Sequence, residues 1–312
     1  MKILLLGKGG QVGWELQRSL APLGEVVALG SSSLGGNFTD LLALAQTVRT
    51  VRPDVIVNAA AYTAVDKAQS EPELARTINA LAPGVLAREA QSLGAWLLHY
   101  STDYVFDGAG ERPWLESDAT APLNVYGQTK LEGEQLIAAS GCAHLIFRTS
   151  WLYAARGGNF AKTMLKLAQE RDSLNVINDQ FGAPTGADLL ADVSAHALRA
   201  VARSAPNRRL SGLYHVAASG ETSWYDYAKF VLTSAQQAGF ELKAGPQAVL
   251  PVPTSNFPTP APRPHNSRLN TNKLRTAFDL CLPPWQQDVG RLLETLRDRP
   301  SALPSTDQGK KI

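Results

Sequence analysis

The sequence is short of the residues that staple or metallate small proteins. Its two cysteines, Cys142 and Cys281, stand alone and far apart, which excludes a disulfide framework and points to a reducing compartment. The five histidines (His99, His144, His196, His215 and His265) show none of the spacings that gather a zinc ion. Charge of one sign is missing too. Thirty lysines and arginines against 28 acids leave +2 with no long block of either, which argues against a nucleic-acid or membrane-surface partner. Long apolar runs are also absent: Met1-Lys2 leads only into Ile3-Leu4-Leu5-Leu6 before a glycine loop. That run is too short for a signal-peptide core or a membrane span and is placed like a first strand. A cytoplasmic protein without a membrane partner is expected.

What remains is ordinary globular material, 44% hydrophobic and 19% charged over 312 residues, enough for one large core and a small one. Short apolar runs at Ile3 to Leu6, Val26 to Leu29, Val55 to Val57, Trp96 to Tyr100 and Leu145 to Phe147 alternate with amphipathic stretches. That rhythm predicts an α/β chain with a doubly wound parallel sheet. Asp40 reads as a helix N-cap, and Arg52-Pro53 stops that helix before the strand at Val55. Beyond Arg148 the regularity weakens, with helices expected at 160–170, 187–201, 224–238 and 286–296. The domains expected are 1–150 for a sheet domain, 151–298 for a smaller C-terminal α/β lobe, and 299–312 for a flexible polar tail. Seven prolines between Gly245 and Pro264 exclude regular helix or central strand there. A flap over a site is the favoured reading, because Arg263, Asn266 and Arg268 at its end could reach a charged ligand.

Gly7, Gly10 and Gly13 fall between the first strand and the first helix. Glycine there lets the backbone turn sharply and approach a pyrophosphate, whose charge a helix N-terminus stabilises, and this is the fingerprint of a Rossmann-type sheet. The second strand ends at Leu29 with Gly30-Ser31-Ser32-Ser33 and no carboxylate, so a 2′-phosphate is tolerated, and Lys8 with those hydroxyls even leans toward NADPH over NADH. Tyr126 and Lys130 lie four apart on a predicted helix, which puts a phenol and an ammonium on one face. An ammonium beside a phenol lowers its pKa and makes it a proton donor to a developing alkoxide. Thr102, closing the fourth strand on the ligand-binding edge, is placed to hydrogen-bond a substrate carbonyl. The small residues of Asn58-Ala59-Ala60-Ala61-Tyr62-Thr63 allow a cofactor close to the third strand's end.

Together these residues resemble the extended short-chain dehydrogenases/reductases, and within them the dTDP-4-dehydrorhamnose reductase family. The likeness runs almost end to end, through Gln11 to Leu16, Asn58 to Lys67, Ser101 to Phe106, Asn124 to Lys130, Arg148 to Trp151, Val176 to Gly186 and Arg263 to Leu269. It implies that Gly10, Gln11 and Val12 hold the cofactor pyrophosphate, that Ala61, Tyr62 and Thr63 line the nicotinamide side with Ala59 beside them, and that Asn37 and Phe38 lie at the adenosine end. Family members often carry aspartate where this chain has Asn37 and Gly30, so the resemblance does not settle NADH against NADPH. It further implies that Lys130 bonds the nicotinamide ribose, that Tyr126 and Thr102 act on the ketone, and that Thr102, Asp103 and Trp151 contact a dTDP-sugar. The reaction implied is reduction of a C4 ketone in the last step of dTDP-rhamnose synthesis, feeding cell-surface polysaccharide such as O-antigen. Mg2+ bound through exposed acids, with Glu15, Asp188 and Glu294 as candidates, and a homodimer are left open by the resemblance.

Two other readings share the fold. A sugar-nucleotide dehydratase or epimerase is one, but the dehydratase needs a glutamate after Asp103, where this chain has Tyr104. A non-catalytic regulatory subunit like that of methionine adenosyltransferase is the other, and the intact Thr102, Tyr126 and Lys130 give no sign of lost catalysis.

Overall fold

Apolar residues run almost without a break along the central strands, whose successive side chains point to opposite faces, so both faces of the sheet need a cover. The computed structural model describes residues 1–203 and 208–298, and the tail expected at 299–312 lies outside the described residues. The first half runs β1 (Lys2–Leu6), α1 (Gln11–Leu20), β2 (Glu25–Leu29), α2 (Leu41–Val51), β3 (Val55–Asn58), α3 (Val65–Ala68), α4 (Pro72–Arg76), α5 (Ala82–Leu93), β4 (Trp96–Thr102), α6 (Val125–Ala139) and β5 (Ala143–Thr149). The second half runs β6 (Leu152–Tyr153), α7 (Phe160–Glu170), β7 (Leu174–Ile177), β8 (Phe181–Gly182), β9 (Thr185–Gly186), α8 (Ala187–Arg203), β10 (Gly212–His215), β11 (Thr222–Ser223), α9 (Trp224–Gln237), β12 (Val249–Val252), α10 (Asn272–Phe278) and α11 (Trp285–Asp298).

The main sheet is parallel, in the order β2-β1-β3-β4-β5-β10. The chain moves outward from β1 to β2 and then crosses back to β3, so the strand order reverses between β1 and β3, where such sheets open a crevice at their carboxyl ends. Ile3, Leu5, Val55, Val57, Leu98 and Phe147 pack on one face against Leu16 of α1 and Leu190, Leu198 and Val201 of α8. Leu4, Leu6, Ile56, Leu97 and Ile146 pack on the other against Val48 of α2, Leu86 of α5 and Ile137 of α6. A third core joins Leu165 of α7, Tyr227 and Val231 of α9, and Trp285, Leu292 and Leu296 of α11. The second half therefore builds its own cluster while also giving the sheet body a strand, β10, and a covering helix, α8.

The N-cap expected at Asp40 is present, its carboxylate accepting from the Ala43 amide at 2.9 Å, and Arg52 closes α2 in a left-handed conformation. Within the proline-rich segment the structure has a short edge strand, β12, paired with β7 alone. An edge tolerates Pro251 because it leaves one side of the strand without ladder partners.

Helix α6 is seated by contacts that leave no room for a side chain. A Cβ on Gly127 would stand 2.1 Å from the Tyr104 carbonyl oxygen, and one on Gly133 would stand 2.2 Å from that of Asn79. Asn79 lies in a single π-helical turn (77–81), and such a bulge often marks a functional position. From β5, the buried Arg148 guanidinium grips the buried Glu134 carboxylate of α6 with two bonds, at 2.9 and 2.6 Å. Removing one partner strands a desolvated charge. Glu134→Ala is expected to cost about 3–5 kcal/mol in denaturant unfolding, with Glu134→Gln, which keeps an acceptor, costing less. A loss below about 1 kcal/mol would mean that the pair is not what seats the helix.

Candidate active site

At the carboxyl edge of β1 the chain turns through Gly7, whose φ of +88° suits glycine, into α1. The Gly7 carbonyl oxygen would lie 2.0 Å from a Cβ on Gly13, so helix and loop meet backbone to backbone. Gly10 is the N-cap, in extended conformation, and no side chain caps the first turn. The leading amides of α1 thus keep their donors for an anion. In front of them a cavity of about 650 Å³ is lined by Gly9, Gly10, Gln11, Val12, Ala59, Ala61, Thr63, Leu152 and the loop Arg156-Gly157-Gly158. That loop is clasped to the glycine turn: Gln11 Nε2 donates to the carbonyls of Arg156 (3.1 Å) and Gly158 (3.0 Å), and the Arg156 guanidinium lies over the Trp14 ring at 4.5 Å. No local pattern in the sequence marked this loop.

The residues expected to be catalytic lie at the carboxyl end of β4 and in the first half of α6. Thr102 closes β4 with its hydroxyl buried, accepting from the Tyr104 amide (3.2 Å) and donating to Asp103 Oδ1 (3.1 Å). Tyr126 enters from the first turn of α6, which Asn124 caps by accepting from the Gly127 amide at 2.9 Å. The phenol is half-buried, edge-on to the Tyr104 ring at 5.7 Å. Burial pushes its pKa up to about 12, the Thr102 hydroxyl facing it pulls the other way, and the Asp103 charge adds to the rise. The sequence suggests a phenol lowered by Lys130. In this geometry the lysine turns elsewhere: buried Nζ lies 2.5 Å from the Tyr100 carbonyl and 3.2 Å from His99 Nε2, and burial drops its pKa to about 8 against the opposing pull of Glu134.

Asp103 is 2% exposed, and burial lifts its carboxyl to about 7 against the hydroxyls of Ser267 and Thr102. Its Oδ2, with Ser101 Oγ and Ser150 Oγ, has no hydrogen-bond partner within the protein. Trp151 follows β5 with a φ of +48°, a left-handed conformation costly for a bulky residue. Its indole stacks on Trp224 at 3.6 Å between centroids, and the indole of Trp224 donates to Gln180 at 3.1 Å. Trp224 and Gln180 went unmarked in the sequence, where one reads as a helix start and the other as loop.

Other expected residues sit differently. The Phe38 ring is buried in the core under α2, leaving only its backbone for a ligand, and Asn37 Oδ1 accepts from the amide and hydroxyl of Thr39. The Tyr62 hydroxyl donates to Glu71 at 2.5 Å, and its amide to Asn79 Oδ1 at 2.8 Å. The three polar residues ending the proline-rich segment do not reach outward as a flap would require. Arg263 pairs with Asp66 at 2.8 Å, Asn266 donates to the Arg112 carbonyl at 2.8 Å, and Arg268 donates to Asn266 at 2.9 Å. Burial, and after it the Asp188 charge, raises the pKa of Glu15, but Glu294 is not among the charges acting on it, and among the described residues no three His, Cys, Asp or Glu gather as a metal site. Among the same residues no helix is long and apolar enough to cross a membrane.

The lifted Asp103 carboxyl makes stability depend on pH. Between its ordinary value of 3.8 and about 7, the folded chain holds a proton that the unfolded chain releases. The stability this proton represents is full below 3.8, drains as pH climbs toward 7, and stays lost above. Denaturant unfolding of wild type and Asp103→Asn should show the variant gaining on wild type from acid to mildly alkaline pH. A pH-independent gap would contradict the lifted carboxyl.

Over residues 1–298 the chain matches the family model described as the RmlD substrate binding domain. It is 59% identical over 298 residues to the dTDP-4-dehydrorhamnose reductase of Escherichia coli K12, covering 95% of this chain and 98% of that one. Among solved structures, a dTDP-4-dehydrorhamnose reductase of Clostridium acetobutylicum superposes with a TM-score of 0.85 at 36% identity, covering 95% of this chain and 100% of that one. That of Bacillus anthracis in complex with NADP superposes at 0.82 with 35% identity, covering 93% and 98%. The family model spanning residues 1–298, with these likenesses over nearly the whole of each chain, makes the chain a member of the RmlD family of dTDP-4-dehydrorhamnose reductases.

Proposed function

We propose that this chain is a cytoplasmic NAD(P)H-dependent reductase that converts the C4 ketone of dTDP-4-dehydro-β-L-rhamnose to the alcohol of dTDP-L-rhamnose. The observation that carries the reading is the meeting of the Thr102 hydroxyl with a Tyr126 phenol held protonated, its pKa near 12. A phenol in that state still carries its proton at neutral pH and has it to give to an alkoxide, the role that reduction asks of it. A reduced nicotinamide, when bound, supplies the hydride, and the residues present fit one: an uncapped helix start faces a glycine-lined cavity.

In this proposal the amides of Gly10, Gln11 and Val12 hold the pyrophosphate over the turn made by Gly7 and Gly13. Ala59, Ala61, Tyr62 and Thr63 flank the nicotinamide, Asn37 and the Phe38 backbone the adenosine end, and Lys130 the ribose. Thr102 turns its proton from Asp103 to the ketone oxygen, and Tyr126 protonates that oxygen as charge develops on it. Asp103 and Trp151 hold the sugar, the indole covering its apolar face. Residues 1–150 chiefly bind cofactor and 151–298 chiefly substrate, apart from the strand and helix that the second half lends to the sheet. Following loss of reduced-nicotinamide absorbance with dTDP-4-dehydro-β-L-rhamnose should give turnover that falls by about 10²–10⁴ in Tyr126→Phe. No turnover with either nicotinamide, despite cofactor binding, would overturn the assignment.

For the cofactor we propose NADPH over NADH. No carboxylate follows β2, the Lys8 side chain lies 3.7–3.8 Å from where a Gly30 Cβ would stand, and Ser33 Oγ accepts from the Gly30 amide at 3.1 Å. A 2′-phosphate there meets an ammonium and hydroxyls rather than a negative charge. Gly30→Asp, whose Cβ has ordinary room, should shift the ratio of kcat/KM values toward NADH by about tenfold or more through like-charge repulsion. An unchanged ratio would remove this site from cofactor choice.

A further inference from the structure

Behind Lys130 lies a buried row of polar groups that the reaction as drawn does not use. His99, on β4, is fully buried. Asn58, at the end of β3, faces its Nδ1 at 3.0 Å, and Lys130 Nζ faces its Nε2 at 3.2 Å. The orientation of the Asn58 amide is fixed by a third contact, because its Oδ1 accepts from the Ala60 amide at 3.1 Å. The Asn58 group turned toward the ring is therefore its NH₂, a donor, and Nδ1 must accept. Desolvation holds the ring neutral, well below the ordinary imidazole range. A neutral ring that accepts at Nδ1 carries its proton on Nε2 and points it at Lys130. Two donors cannot share that contact, so Nζ meets it with a lone pair.

We propose that His99, biased to one tautomer by Asn58, is a positioning residue that favours the uncharged amine of Lys130 over its ammonium in the free chain. Charging the lysine requires the ring to move its proton to Nδ1. That in turn requires the Asn58 amide to rotate and surrender the Ala60 amide, so the two protonation states of Lys130 belong to two arrangements of a four-group row. The other groups around Nζ do not impose this choice. On α6 these are Glu134, which favours the ammonium but is held by Arg148 of β5, and the neutral Tyr126. On β4 the Tyr100 carbonyl accepts from amine and ammonium alike, and Asp103 beyond it stands against Thr102. The lowered pKa of Lys130 agrees with the arrangement. The meaning for catalysis rests on the role given to Lys130 above, whereas the tautomer does not.

The test reads the ring directly. In nitrogen–proton correlation spectra of chain labelled with ¹⁵N-histidine, the His99 signal is identified by its loss in His99→Gln. It should have a protonated Nε2 and a bare Nδ1 at about pH 9, and should exchange the two as the pH falls through the value of about 8 at which Lys130 charges. Asn58→Asp offers oxygens to both the Ala60 amide and the ring, and should move the proton to Nδ1. The limb of the kcat/KM profile belonging to Lys130 should then rise by roughly one unit. His99→Gln, whose carbonyl can accept from Nζ, should move that limb the same way, a shift that loss of packing alone would not produce. A ring still protonated at Nδ1 at about pH 9, a ring that takes up a second proton near pH 6.5, or a limb that stays fixed after the tautomer has moved would each overturn the proposal. If Asn58→Asp does not fold, the wild-type spectrum decides. If the spectrum is as expected and no ketone is reduced, the assigned reaction fails and the tautomer bias stands.

Discussion

The arrangement depends above all on how closely α6 lies against the elements beside it. Backbone carbonyls at Tyr104 and Asn79 occupy the space where side chains at positions 127 and 133 would begin. The helix therefore cannot slide or roll without collision, and a buried arginine–glutamate fork fixes it from the neighbouring strand. Dispersion and close packing alone tolerate small shifts; backbone contact at two points along one helix, combined with a desolvated ion pair, does not. Because Tyr126 and Lys130 are four residues apart on this helix, fixing it fixes both, one toward Thr102 and the other toward the interior of the sheet.

Against this rigid seat the strand ends are poorly satisfied. Ser101, Asp103, Thr149 and Ser150, at the carboxyl ends of β4 and β5, each have a buried polar atom without a protein partner, and each such atom costs about 1–3 kcal/mol. The hydrophobic faces a few residues earlier on the same strands are complete. Stability is concentrated in the body of the sheet and given up at its edge, where the left-handed Trp151 also sits. This uneven distribution is what a site for a polar, hydroxyl-rich ligand requires.

Much of this was legible in the sequence, because the signals were local. The β1 to α1 glycine turn, the Asp40 cap, the five strands and the four later helices follow from periodicity and from residue types with fixed backbone habits, and the structure has each within a few residues. The tyrosine–lysine pair was legible as a spacing, but its electrostatics were not. Whether an ammonium faces a phenol or a carbonyl depends on how α6 is rotated, and contacts with residues 14 to 54 positions away set that rotation. The same limit hid His99, Trp224 and the Arg156 loop, whose partners lie 31, 44 and 145 residues off along the chain. It also misdirected the reading of Arg263, whose acceptor is 197 residues away.

Two of those distant contacts bear on how the chain comes to be folded. Asn124 caps α6 with one side of its amide and with the other donates to the Pro262 carbonyl, 138 residues on, while Asp66 accepts from Arg263. The glycine turn and its strands can close on one another from nearby sequence, but the start of the helix that carries Tyr126 is tied down by a segment made 138 residues later. Contacts of such separation are the slow ones in folding, since the entropy of closing the loop is lost before the contact is gained. On the ribosome, the glycine turn is therefore complete well before Tyr126 is anchored, and a chain cut short of the proline-rich segment would lack both ties.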